Sequence, residues 1–156
     1  MAEPGSIRLA EDALAAIREA ARGAYPHEGC GALVGPAGGP IALSLALPNR
    51  EADRPRVRFS VSPRDYMEVE DAAESKGLAL LGFWHSHPDH PARPSETDRR
   101  YAWEGLLTLV IAVEQGEPRD LTAWAVDGPD APFRELRLEI VPNGRVEDAR
   151  QEKEER

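Results

Sequence analysis

The ten residues from Leu78 to His87, LALLGFWHSH, constrain this chain more than any other stretch. Apolar side chains occupy both alternating positions until the histidines begin, which is the pattern of a strand covered on both faces. A chain containing it must build a sheet with a layer on either side. The flanking residues supply those layers. Ala10, Leu14, Ile17 and Ala21 recur at helical spacing and predict a helix over residues 10–21, ended by Gly23 and blocked by Pro26. Residues 29–35 and 41–47 are apolar runs separated by Pro36, Gly38, Gly39 and Pro40, and they predict a hairpin. Residues 49–56 read as a loop, and the alternation of Val57, Phe59 and Val61 predicts a short strand.

Ser62 and Pro63 open a second helix with Tyr66, Val69 and Ala73 on one face, stopping at Gly77. Ser95 caps a third helix reaching about Glu104, and strands follow over residues 107–113, 121–126 and 133–141. The class is mixed α and β. With no internal repeat or dividing linker, residues 1–142 form one domain and residues 143–156 a charged tail, either a solvated helix or frayed chain.

Charge narrows the function. Nineteen basic residues against 28 acidic ones give −9 and a pI near 5.0, and no basic cluster is present to meet phosphates, so nucleic acid is excluded as a partner. The single cysteine, Cys30, has no internal disulfide partner, residues 1–6 lack a secretory pattern, and the longest apolar stretch, residues 78–84, is far short of the roughly 20 residues that span a bilayer. A soluble cytoplasmic protein without membrane contact is expected. The two lysines, Lys76 beside Gly77 and Lys153 in the tail, are unsuited to Schiff-base chemistry.

Three of the four histidines, His85, His87 and His90, fall within six residues. His85 and His87 are two apart at the end of the strand, leave the same face and can converge on one ion, for which two imidazoles suit zinc. Asp98 is the best third ligand, because a helix starting at Ser95 presents it in the first turn. The competing reading makes Ser95 and Asp98 a helix cap, with aspartate as a short form of the capping-box glutamate. The histidines favour the ligand. Glu28, between Pro26 and a Gly-Cys-Gly segment, is either an ordinary loop carboxylate or a base held at the start of a strand.

The pattern His85-x-His87, seven residues, Ser95, two residues, Asp98, with Glu28 upstream, resembles the JAMM signature of the Mov34/MPN/PAD-1 metalloproteases. The segments around it, His27-Glu28-Gly29-Cys30-Gly31 and Gly82-Phe83-Trp84-His85-Ser86-His87-Pro88, are similar to family members too, and the resemblance covers residues 7–141. It implies a JAB1/MPN-type fold, a curved mixed β-sheet flanked by helices. It also implies one zinc ion per chain held by His85, His87 and Asp98, with Glu28 as general acid/base and Ser95 donating to the oxyanion. Short bacterial members resemble peptidases that act after the C-terminal Gly-Gly of a ubiquitin-like or sulfur-carrier protein, releasing cysteine or a short extension. Two other readings stand beside this one: a noncatalytic zinc-stabilised module that docks such a protein, and a zinc hydrolase of small amides. The sequence does not decide between monomer and homodimer.

Other residues read more plainly. Cys30, flanked by glycines at the head of an apolar strand, is a buried small residue. Ser86 lies on the face opposite the histidines and has no nucleophile elbow around it. His90 faces the surface or the substrate, and Trp84, Trp103 and Trp124 pack in the core. Asp89 is a turn residue or a carboxylate that orients a histidine from behind.

Overall fold

The computed structural model describes residues 5–144. In chain order they form β1 (Ser6–Ala10), α1 (Glu11–Ala24), β2 (Cys30–Gly35), β3 (Leu43–Leu47), α2 (Pro63–Ser75), β4 (Ala79–Pro88), α3 (Glu96–Tyr101), β5 (Leu107–Glu114), β6 (Glu117–Val126) and β7 (Phe133–Val141). The strands make one sheet in the order β1-β7-β6-β5-β4-β2-β3. β1 with β7 and β4 with β5 are parallel, and the other pairs antiparallel.

The two ends of this sheet meet. Ala10 N–H donates to Ile41 O and Ile41 N–H donates to Arg8 O, each at 2.9 Å, so β1 touches the chain just ahead of β3 and the sheet curls around α1. α1 packs against all seven strands, burying Ala13, Ile17 and Ala21 among Leu9, Leu33, Ile41, Trp84, Leu109 and Ile111. On the other face α2 sets Val69 against Ala32 and Phe83. Phe83 and Trp84 therefore point to opposite layers, as the two-sided pattern of β4 requires. Gly31 of β2 is obligatory here, because a Cβ at that position would collide with the Trp84 indole.

This curved mixed sheet with flanking helices is the expected class, but several local readings need correction. β1 was not anticipated: its residues Ser6–Ala10 are stabilised by parallel pairing with β7 at the opposite end of the chain. Ala10 consequently belongs to a strand, and α1 runs through Gly23 to Ala24, stopping at the turn before Pro26. Residues 57–61 form no strand: the N–H groups of Val57 and Arg58 both donate to Arg54 O in a turn, and Ser60 O accepts from Arg50 N–H within the same loop. α3 ends at Tyr101, three residues early. β6 starts at Glu117 because Gln115 and Gly116, both with positive φ, make a tight turn from β5. Beyond Asn143 and Gly144, the tail expected over residues 143–156 lies outside the described residues.

Candidate metal centre

The central strand delivers two ligands. His85 and His87 share the α2-side face of β4 with Phe83, and both are buried. The chain then turns through its prolines and re-enters as α3, whose third residue is Asp98. Asp98 Oδ2 lies 3.0 Å from His85 Nε2 and 3.2 Å from His87 Nε2. Glu28 arrives from elsewhere: it immediately precedes β2, and the β2–β4 register sets Cys30 opposite His85. One ligand atom from each of Glu28, His85, His87 and Asp98 lies within 4.8 Å of the others.

The cap and the ligand reading of Asp98 turn out to be compatible. Ser95 Oγ accepts the Asp98 N–H at 3.0 Å, and Asp98 Oδ2 accepts the Ser95 N–H at 2.8 Å, a reciprocal capping box. The same oxygen faces both histidines. The cap thus aims the carboxylate rather than consuming it.

Electrostatics shows what these groups fit. Burial lowers the basicity of His85 and favours its neutral form, despite the opposing pull of Asp98. His87 Nδ1 lies 2.9 Å from Pro91 O, which can only accept, so Nδ1 donates there while Nε2 is turned toward Asp98. Burial alone raises the Asp98 carboxyl, but hydrogen bonds to His85 and His87 outweigh it and hold it well below the usual carboxylate range. Glu28 is 3 % exposed, and its Oε1 has no hydrogen-bond partner among the described residues. Burial, followed by the Asp98 charge, pushes its pKa up to about 9. Two imidazole nitrogens turned toward one Asp98 oxygen, beside a buried Glu28 carboxyl whose Oε1 is unpartnered among the described residues, bring four potential ligand atoms together. Two imidazole nitrogens with a carboxylate oxygen are a zinc donor set, and the residues present fit that ion.

The loop over residues 49–60 covers the cluster, and sequence reasoning had assigned it little. Asn49 Nδ2 donates to Glu28 O and to Arg58 O, each at 3.0 Å, while its Oδ1 accepts from Glu51 and Ser60 N–H at 3.0 and 3.1 Å. Glu28 N–H donates to Pro55 O at 2.6 Å. Phe59 stacks on His85 with centroids 4.5 Å apart. A polar loop has no periodicity that would single out Asn49, so only its partners reveal it. Glu28, His87 and Ser95 line one cavity of about 350 Å³, with Val57, His90 and Arg93 also on its walls. Ser95 is exposed there, and its hydroxyl proton is not used by the cap.

The plainer readings can be placed as well. Cys30 is 2 % exposed and burial pushes its thiol up to about 12, which leaves no nucleophile. Ser86 faces away from the centre, where its Oγ accepts the Gly29 N–H at 2.7 Å and so clamps the residue after Glu28. Asp89 touches neither histidine: it accepts from Tyr25 Oη at 2.7 Å and Gln115 N–H at 2.8 Å. His90 is exposed. Trp84 is fully buried, but Trp103 is 40 % exposed, because it follows the early end of α3 and covers Phe83 and Tyr66 from outside.

Comparison with known proteins places these features. The family described as prokaryotic homologs of the JAB domain matches residues 10–127. A desampylase from Haloferax volcanii is 33% identical over 139 residues, covering 86% of this chain and 96% of the relative. The solution structure of a protein from Desulfitobacterium hafniense superposes with a TM-score of 0.76 at 29% identity, covering 87% of this chain and 93% of that one. A crystal structure of a JAB1/MPN domain protein from Archaeoglobus fulgidus shares the fold, with a TM-score of 0.56 at 22% identity over 87% of this chain and 98% of that one.

Proposed function

This chain belongs to the prokaryotic JAB-domain family, and from that premise we propose that it is a JAMM-type zinc isopeptidase hydrolysing the bond after the C-terminal Gly-Gly of a ubiquitin-like or sulfur-carrier protein. One observation carries the reading: Glu28, His85, His87 and Asp98 converge to within 4.8 Å, with Glu28 and His87 on the wall of an open cavity and Glu28 Oε1 unpartnered among the described residues. Likeness to a relative named desampylase supports the substrate class.

His85, His87 and Asp98 would hold the zinc ion. When bound, zinc supplies Lewis acidity that polarises the scissile carbonyl and makes water a nucleophile near neutral pH. Glu28 handles the proton. Its burial raises its affinity for one, and a nearby dication lowers it again, which brings the carboxyl into the range where it can take a proton from water and return it to the leaving amine. Asn49 holds the Glu28 backbone in place meanwhile. The free hydroxyl proton of Ser95 is available to the oxyanion, where loss of one donor typically costs about 2.7–4 kcal/mol of barrier. A Gly-Gly tail brings bare backbone to a centre crowded by Phe59 and Val57.

The test is incubation of the zinc-loaded protein with a Gly-Gly carrier bearing one extra residue, followed by intact mass. Loss of the extension is expected, and neither chelator-treated protein nor Glu28→Gln should produce it. Failure to process any such carrier, or full activity of Glu28→Gln, would reject the proposal. Cleavage of single amino-acid amides at the same rate as carriers would instead identify a small-amide hydrolase.

A further inference from the structure

α3 carries Asp98, yet none of its six residues is buried. Apolar packing therefore does not locate this helix, and one so short is not stable alone. The residue after Asp98 supplies the missing hold. Arg99 Nε donates to Ala131 O at 2.5 Å, and its Nη2 donates to Gly128 O at 3.0 Å and Pro129 O at 2.9 Å. All three acceptors sit in the turn between β6 and β7.

That turn is itself a fixed receptor. Arg134 and Asp127 close its base with two hydrogen bonds of 2.8 and 3.0 Å, and Ala131 N–H donates to Gly128 O at 3.2 Å across it. Arg99 also lies 6.0 Å above the Phe133 ring. A guanidinium suits this arrangement because its donors form a rigid planar fork and its charge strengthens bonds to carbonyls. Successive helical side chains diverge by about 100°, so Asp98 can face the histidines while Arg99 grips the turn.

We infer that Arg99 is a positioning residue for the metal centre: by tying α3 to the β6–β7 turn, it sets Asp98 Oδ2 opposite His85 and His87. The inference rests on Asp98 being a zinc ligand. It assigns the β6–β7 turn, remote from the motif in sequence, a part in metal binding.

The experiment compares the wild-type chain with Arg99→Met, Arg99→Lys and the exposed neighbour Arg100→Met. Zinc affinity is measured by chelator competition, ligand geometry by the visible absorption of the cobalt-substituted proteins, and integrity by the thermal midpoint of each metal-free chain. Arg99→Met should weaken zinc binding at least about tenfold, as loss of outer partners of metal ligands commonly does, and should alter the cobalt bands. Arg99→Lys should restore part of the affinity, and Arg100→Met should match wild type. A purely structural role would lower the metal-free midpoint and leave the zinc affinity of the folded variant within twofold of wild type, and that result would overturn the inference. If Arg99→Met does not fold, the same criteria apply to Arg99→Lys. Absence of zinc binding by the wild-type chain would instead defeat the metal reading itself.

Discussion

At the scale of single residues, Glu28 is the group whose state most depends on the rest of the site. In the metal-free fold its pKa is pushed up to about 9 from 4.5 by burial and by Asp98. The folded chain holds that proton more tightly than the unfolded one, so the stabilisation is complete below about pH 4.5 and is lost as pH rises toward 9. Thermal midpoints in chelator should therefore fall across this window for wild type and fall less for Glu28→Gln, with the largest gap at the alkaline end. Equal slopes for the two chains would show that Glu28 is ionised throughout. Zinc reverses the demand, because a dication favours the carboxylate. Asp98 shows a different economy of design: one oxygen completes a helix cap and faces two imidazoles, so the signal that marks a helix start also marks the metal ligand.

At the scale of elements, the site is made where β4, β2 and α3 meet and is closed by a segment with no regular structure. Asn49 organises that segment through bonds to Glu28, Arg58, Glu51 and Ser60. Asn49→Ala leaves several backbone groups without their partner, and the expected cost is about 1–3 kcal/mol, measured as a lower thermal midpoint. Cleavage at saturating zinc should slow as well, since Glu28 loses its backbone anchor; an unchanged rate would confine Asn49 to stability. The elements differ in how clearly the sequence announced them. α2 carries its own start and stop, Ser62 with Pro63 and then Gly77, and β4 carries its two-sided apolar pattern, so both were readable. The apolar alternation of Val57, Phe59 and Val61 resembles a strand, but Phe59 stacks on His85 and the N–H groups of Val57 and Arg58 are taken by Arg54 O in a turn.

At the scale of the whole molecule, the first and last strands, β1 and β7, pair with each other in the sheet. Asn143 Oδ1 accepts the Asp12 N–H at 2.8 Å, capping α1, whose own N-cap residue is Ala10 and offers no side-chain acceptor. Asn143→Ala should cost about 1 kcal/mol, seen in the midpoint, with the cleavage rate unchanged because α1 lies behind the sheet from the metal centre; a loss of rate would show that the sheet transmits the change. The acidic surplus also looks different in three dimensions: two of the 28 acidic groups, Glu28 and Asp98, face a site fitted to a dication, so the net charge of −9 describes the surface more than the cleft. The sequence alone determined the two-sided strand, the common face of His85 and His87, and the helix start that presents Asp98, because each depends on neighbours within a few turns or pleats. The tertiary structure decided that Glu28 stands beside His85, that Asn49 and Phe59 enclose them, and that Arg99 holds α3 to the β6–β7 turn. Those contacts join segments far apart in the chain, and they are selected by the pairing and packing of the whole sheet, which no local periodicity encodes.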